Sequence, residues 1–171
     1  KLAEMTPEQI FQSSVKSGIH NGDGTLTEKY RAPLPIDTRI KLPNAFVNGS
    51  GSIQNLVEHE CGGVQIIHSI AGTVRSNHLH RTDWHYLYVL SGRMHYFWRD
   101  ADSTDEPEVI IVSTGQMVFT PPLVYHATWF TEETVLLAIS KHSRTHEEHE
   151  ADLVRLEGTL IPQEYMSKHK V

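Results

Sequence analysis

Cysteine is almost absent from this chain. Cys61 is the only one in 171 residues, so no internal disulfide forms and no CxxC pair offers thiolates to a metal, usage that fits a reducing compartment. Long apolar runs are missing too. None approaches the roughly 20 residues of a membrane-spanning helix, and no membrane partner is expected. Positive charge is in deficit, with 15 Lys and Arg against 21 Asp and Glu and a net charge of -6. With no basic stripe, nucleic acid is not expected as a partner. There is no internal repeat, and the one biased patch is Thr145-His-Glu-Glu-His-Glu150. At 171 residues with 39% hydrophobic content, the chain reads as one globular domain large enough to bury a core.

Met5-Thr6-Pro7-Glu8-Gln9 has the form of an initiator followed by a helix start, with Thr6 as N-cap, Pro7 at the first helical position and Gln9 closing a capping box. Lys1 to Glu4 would then precede the natural start, no signal peptide is expected, and the expected compartment is the cytoplasm. A short amphipathic helix should run from about Pro7 to Val15, with Ile10, Phe11 and Val15 as its apolar stripe. Lys16 to Pro43 is polar and turn-rich and should wrap as loop, with room for a short strand near Ile40. Strand-like runs follow at 52–57, 63–70, 73–80, 84–90, 93–99, 108–112, 116–120, 125–130 and 134–140, separated by Gly- and Pro-rich breakers. Many short strands without alternating helices predict a sandwich or barrel. The tail from Thr145 to about Leu156 reads as helix. The expected division is an N-terminal helix and arm at 1–44, a β-barrel at 45–141 and a helical tail at 142–171.

One run stands out. Gly72 to Gly92 holds His78, His80 and His85 among strand-forming residues. His78 and His80 are two apart, so both imidazoles leave one face of an extended strand. If Arg81, Thr82, Asp83 and Trp84 form a hairpin loop, His80 and His85 oppose each other and share that face. Strand parity turns Arg75 outward unless a bulge intervenes. The same parity sets Trp84, Tyr86 and Tyr88 opposite His85, where packing explains them better than substrate stacking does. A second run, Gly115 to Phe130, passes a Pro121-Pro122 corner to Tyr125 and His126. Thr128 and Phe130 share the face of His126, so Phe130 would narrow any pocket there.

These two segments resemble the paired signatures of the cupin superfamily. Gly72, His78, His80 and Gly92 match the first, with His85 where the family usually has glutamate. Gly115, Pro121 and His126 match the second, while Leu123 and Phe130 replace its glycine and asparagine. The resemblance implies an all-β, single-domain jelly-roll barrel, here with a short N-terminal helix and a C-terminal helical tail. It also implies one divalent transition metal (Zn, Fe, Ni or Cu) held by His78, His80 and His126. His85 is either a fourth ligand or a satisfied core histidine.

Arg75-Ser-Asn-His78-Leu-His80-Arg81 is further similar to an Arg-Gly-x-His-x-His stretch in cupins of deoxysugar and polysaccharide pathways, with Ser76 in place of the glycine. That similarity implies an isomerase or epimerase of a sugar or nucleotide sugar. His78 or His80 would move a proton next to a ketone, and Tyr125, Tyr86 or Tyr88 would be the acid. Arg75 and Arg81 would bind phosphate or carboxylate, so an anionic or polyhydroxylated small molecule is the expected partner. An Fe(II)-dependent dioxygenase and a non-catalytic ligand-binding cupin are the competing classes. The aromatic outward face of Trp84, Tyr86 and Tyr88 leads to the expectation of a homodimer.

Overall fold

The computed structural model describes residues 6–16, 22, 34–35 and 37–169. Met5, the residues before it and much of the polar stretch between Lys16 and Pro43 lie outside the described residues. Contacts divide the chain into two units, Lys1–Leu34 with Val57–His59, and Pro35–Leu56 with Glu60–Val171.

In the first unit, helix α1 spans Pro7–Lys16. Its start is the expected capping box: the Thr6 amide donates to Gln9 Oε1 (2.9 Å) and the Gln9 amide to Thr6 Oγ1 (3.2 Å). Two of the amides that an α-helix leaves unpaired at its N-terminus are thereby satisfied.

The second unit is an antiparallel β-sandwich with few short helices, consistent with the expected jelly roll. One sheet runs, in spatial order, β1 (Arg39–Ile40), β9 (Met117–Thr120), β6 (His85–Ser91), β11 (Thr134–Ser140) and β4 (Gly63–Ser69). The other runs β12 (Leu153–Arg155), β5 (Val74–His80), β10 (Val124–Trp129), β7 (Arg93–Asp100) and β8 (Glu108–Ser113). A separate hairpin joins β2 (Phe46–Asn48) to β3 (Gly51–Ile53). The expected strands recur, although the run at 52–57 shortens to β3.

Period-two alternation builds the core. Leu87 and Val89 of β6, Met94 and Tyr96 of β7, and Leu136 and Ala138 of β11 all point between the sheets, where Val112, Val118 and Phe130 join them. The opposite face of β7 and β10 is also apolar. Phe97, Ala127 and Trp129 pack there against Leu160 and Ile161 from the C-terminal segment. Between β6 and β7 the chain reverses at Gly92, whose φ is 80°. A Cβ there would run into the Glu133 carbonyl oxygen, so the turn requires glycine.

The tail departs from expectation. Helix α2 covers only His146–Asp152. The chain then extends as β12, with Leu153 opposite His80 and Arg155 opposite His78. Without β12, β5 would expose a row of unpaired amides and carbonyls at the edge of its sheet, and closing that edge outweighs continuing the helix. A last helix, α3, spans Gln163–Lys168. Among the described residues no helix is long and apolar enough to cross a membrane.

A bulge in β5 sets the geometry that follows. His126 of β10 pairs with His78, but the next residue, Ala127, pairs with Ser76, so Asn77 is extra. Ser76 and Asn77 both lie in the left-handed region, at φ 68° and 67°. Ser76 stands where the resembling stretch has glycine, and its φ gives the physical reason for that glycine. Asn77 tolerates the conformation and spends its amide on the tail: Nδ2 donates to the Gly158 carbonyl (2.8 Å) and Oδ1 accepts from the Leu160 amide (2.8 Å).

Two substitutions test the bulge. Ser76→Gly should stabilise the protein by about 0.5–1 kcal/mol by relieving the left-handed φ. Asn77→Ala should destabilise it by about 2–3 kcal/mol, since it keeps the unfavourable φ and loses two hydrogen bonds. Urea denaturation reads both, and effects of the opposite sign would contradict this account of the bulge.

Candidate functional site

β5 delivers His78 and His80 to one face, β10 adds His126 beside them, and β6 opens with His85. Ring centroids lie 5.0 Å apart for His78–His80, 4.8 Å for His78–His126, 5.3 Å for His80–His85 and 4.8 Å for His85–His126. His80, His85 and His126 are 1%, 4% and 0% exposed, and His78 is half-buried. Convergence is therefore as the spacing predicts, but its route is different. β5 and β6 belong to different sheets, so residues 81–84 cross from one sheet to the other and form no hairpin.

Side chains outside those two strands hold the crossing in place. Asp152 accepts from the Thr82 amide (2.9 Å), the Thr82 hydroxyl (2.8 Å) and the Asp83 amide (3.1 Å). Its Oδ2 also lies 3.3 Å from His80 Nδ1, within ion-pair range but off the hydrogen-bond line. Buried Asp83 pairs with Arg144 at 3.3 Å, and Arg144 donates to His149 Nδ1 at 2.8 Å. His149, on α2, lies over the cluster, 5.5 Å from His80 and 6.2 Å from His78 between centroids. The charged tail reads as a solvated face in sequence, yet it supplies Arg144, His149 and Asp152. Only Leu153-Val154, β-prone residues right behind it, hint at this in the sequence.

Burial decides the charge. His78 is pushed down to about 3, by burial first and then by His80, His149, Arg155 and Arg144. His80 is pushed down to about 4, by burial and Arg144, while Asp83 and Asp152 oppose the shift. His85 and His126 fall well below the ordinary imidazole value, by burial and then by their histidine neighbours. All four rings are thus neutral near pH 7. Burial raises Asp152, but the Thr82 hydroxyl, the Asp83 and Thr82 amides and His80 more than offset it, so it stays an ionised carboxylate. His126 Nδ1 donates to the Val124 carbonyl at 3.2 Å. His126 Nε2, both ring nitrogens of His80 and His85 Nδ1 are buried with no hydrogen-bond partner. Orphaned lone pairs of this kind mark a place where a ligand belongs.

The other expected site residues fare differently. The bulge sets Arg75 opposite Thr128, and the residue stays exposed. Its guanidinium, however, donates to Ser69 Oγ (2.9 Å) and the His68 carbonyl (2.8 Å), bracing β4 rather than facing the histidines. Arg81 is exposed, and its amide donates to the Asp152 carbonyl at 2.9 Å. Phe130 shares the face of His126 and is buried in the core beside Tyr96. Tyr125 is not brought to the cluster. It alternates with His126 and packs on the opposite face of the sheet, against the Phe97–Trp129 group. Tyr86 also faces away, packed on Trp84 and Phe119 and pushed up to about 12 by burial.

The phenol beside the histidines is Tyr96, stacked on His126 at 6.3 Å. Its hydroxyl is 2.6 Å from that of Thr120, and burial raises it far above the usual phenol value. Parity on β7 puts it inside, but nothing in the linear sequence pairs β7 with β10. Of the aromatic face on which a homodimer was expected, Trp84 and Tyr86 are 6% and 3% exposed and Tyr88 is half-buried.

Ring nitrogens of His78, His80 and His126 lie within 4.8 Å of one another, as do ligand atoms of His80, Asp83 and Asp152. His85 joins neither group.

No protein-family model and no curated protein matches the chain. Solved structures do match. The chain is similar to QdtA, a sugar 3,4-ketoisomerase from Thermoanaerobacterium thermosaccharolyticum in complex with TDP, at 19% identity and a TM-score of 0.56, over 69% of this chain and 86% of that one. A variant of that enzyme in complex with TDP-4-keto-6-deoxyglucose matches at 17% identity, again with a TM-score of 0.56 and 69% and 86% coverage. ChmJ, a 3'-monoepimerase from Streptomyces bikiniensis in complex with dTDP-quinovose, matches at 13% identity and a TM-score of 0.59, over 77% and 78% of the two chains.

At such identities the likeness is one of fold alone, a fold shared with solved structures of sugar ketoisomerases and epimerases. This comparison overturns the expected divalent transition metal. The ligands named for these neighbours are TDP and TDP-sugars, and no metal is named with them.

The neutral cluster carries a pH signature. Its histidines have folded values below the ordinary 6.5, so the unfolded chain binds more protons in the window from about 6.5 down to those values. Stability is therefore complete above the unfolded value and is lost as pH falls below it. Calorimetry should show Tm dropping from pH 7 to pH 5, with a shallower drop in His78→Gln. Equal Tm at the two pH values would contradict the neutral cluster.

Proposed function

We propose that this chain is an isomerase or epimerase of a nucleotide-linked keto sugar, working by proton transfer through its buried histidines. The observation that carries this reading is the His80–Asp152 pair, at 3.3 Å. Asp152, fixed as a carboxylate by three donors, favours the tautomer with the proton on His80 Nδ1. The Nε2 lone pair, which faces no hydrogen-bond partner, is then the base.

The chemistry needs one base and one donor. His80 Nε2 takes the proton from the carbon next to the ketone. The C–H bond breaks and its electron pair forms a C=C bond, while the carbonyl oxygen becomes an enolate. Tyr96, kept protonated by burial and linked to the Thr120 hydroxyl, donates to that oxygen. Return of the proton to the opposite face of the same carbon gives the epimer. Its return to the former carbonyl carbon, with loss of the neighbouring hydroxyl proton, moves the ketone by one position. Neither outcome changes the overall oxidation state. The cupin fold shared with ketoisomerases and epimerases supports the reading. His78, the least buried of the four rings, lies where substrate would enter.

Incubation with TDP-4-keto-6-deoxyglucose in deuterated water should place deuterium next to the ketone, seen by NMR. His80→Asn and Tyr96→Phe should each slow exchange by about 10²–10⁴-fold, the usual contribution of a general acid or base. Absence of exchange in the wild type, with tight binding retained, would favour a ligand-binding role instead.

A further inference from the structure

A guanidinium carries N–H donors and no acceptor. Arg144, 2.8 Å from His149 Nδ1, can therefore only donate, and that nitrogen must hold a lone pair. An imidazolium there would set one donor against another. The His149 ring is thus neutral, with its single proton on Nε2. Arg144 is itself anchored. It pairs at 3.3 Å with Asp83, which is 2% exposed and accepts from the His142 amide at 3.1 Å. Swinging the guanidinium away would strand a buried carboxylate, so the tautomer of His149 is locked.

Helix α2 sets this donor beside the cluster. His149 and Asp152 are three residues apart on it, so they share one helix face. From that face Asp152 reaches the 81–84 crossing and His80. His149 stands over His80 and His78, 5.5 and 6.2 Å away between ring centroids. β12 follows at once and ties the end of α2 to β5, with Leu153 opposite His80. His78 and His149 are both half-buried, so His149 borders the open side of the cluster. Among the described residues its Nε2 makes no hydrogen bond.

We propose that His149 is a second hydrogen-bond donor of the reaction, serving the substrate oxygen next to the ketone. This deepens the function proposed above and rests on it. The two oxygens make different demands. Tyr96 serves the ketone oxygen while the first enolate forms. To move the ketone, the neighbouring hydroxyl gives its proton to the former ketone oxygen and keeps the electron pair. Negative charge then sits on the neighbouring oxygen, where an N–H stabilises it. A neutral imidazole does so without adding a cation to the cluster. The proton held on His80 bonds to the former carbonyl carbon through the C=C pair, and a C=O bond forms at the neighbouring carbon. Every protein group ends as it began. Inversion makes no such demand, because the charge never leaves the ketone oxygen. His149 therefore favours the ketone shift over epimerisation.

TDP-4-keto-6-deoxyglucose in deuterated water separates the two steps by NMR. Deuterium next to the ketone reports the base, and the shifted ketone reports the second donor. His149→Leu should exchange deuterium within about threefold of the wild type, yet form the shifted ketone about 10²-fold more slowly with KM little changed, the usual loss of one preorganised donor. In His149→Gln the amide offers the same pairing of acceptor and donor, and it should recover about tenfold of that loss. Nitrogen NMR of the wild type, with no substrate present, should show the His149 proton on Nε2.

Exchange and shift lost together in His149→Leu, or neither lost, overturns the donor role. So does a His149→Gln no faster than His149→Leu, or a proton on His149 Nδ1. A wild type that exchanges deuterium but only inverts the carbon also overturns it, and leaves the isomerase or epimerase reading standing. A wild type that exchanges no deuterium defeats that reading, and the donor role falls with it.

Discussion

Four imidazoles occupy one buried volume, and they can do so only while uncharged. A single protonated ring there would meet three neighbours, Arg144 and a low dielectric, with only Asp83 and Asp152 to offset it. The surrounding architecture follows from that constraint. Asp152 lies within ion-pair distance of His80 Nδ1, Arg144 occupies the lone pair of His149, and the Val124 carbonyl occupies one nitrogen of His126. The nitrogens left unpaired are the reactive resource of the site. An uncharged, partly unsatisfied cluster suits proton transfer better than it suits structural cohesion, which hydrophobic residues would serve at lower cost.

The bulge at Ser76 and Asn77 couples this site to the tail. It lets β5 bring His78 into register with His126, and Asn77 then binds residues 158 and 160 of the C-terminal segment. β12 closes the β5 edge directly beside the histidines. The segment after β11 is thus part of the site, supplying Arg144, His149 and Asp152 as well as the strand that seals it.

Much of this was legible in the sequence, for physical reasons. Period-two alternation located the strands, and the two-residue spacing of His78 and His80 put them on one face. Glycine and proline breakers marked the turns. The departures came where a local rule met a long-range one. The four residues after His80 have hairpin length, but they cross between sheets because β5 pairs with β10 and β6 with β9 and β11. The helical pattern of the tail stops at Asp152 because the β5 edge needs a partner. Tyr125 stands beside His126 in sequence and for that reason faces away from it, whereas Tyr96 is distant in sequence and stacks on it. Alternation reveals facing within a strand and is silent about which strands meet.

The central claim is that the clustered rings are neutral and that His80 carries its proton on Nδ1. Nitrogen NMR of protein labelled in its histidine rings reads both directly. The account predicts that signals assigned to His78, His80, His85 and His126 stay those of neutral imidazole from pH 8 to about pH 5, with His80 in the Nδ1–H form. Titration of those four at the ordinary imidazole value of about 6.5, or an Nε2–H tautomer at His80, would contradict it.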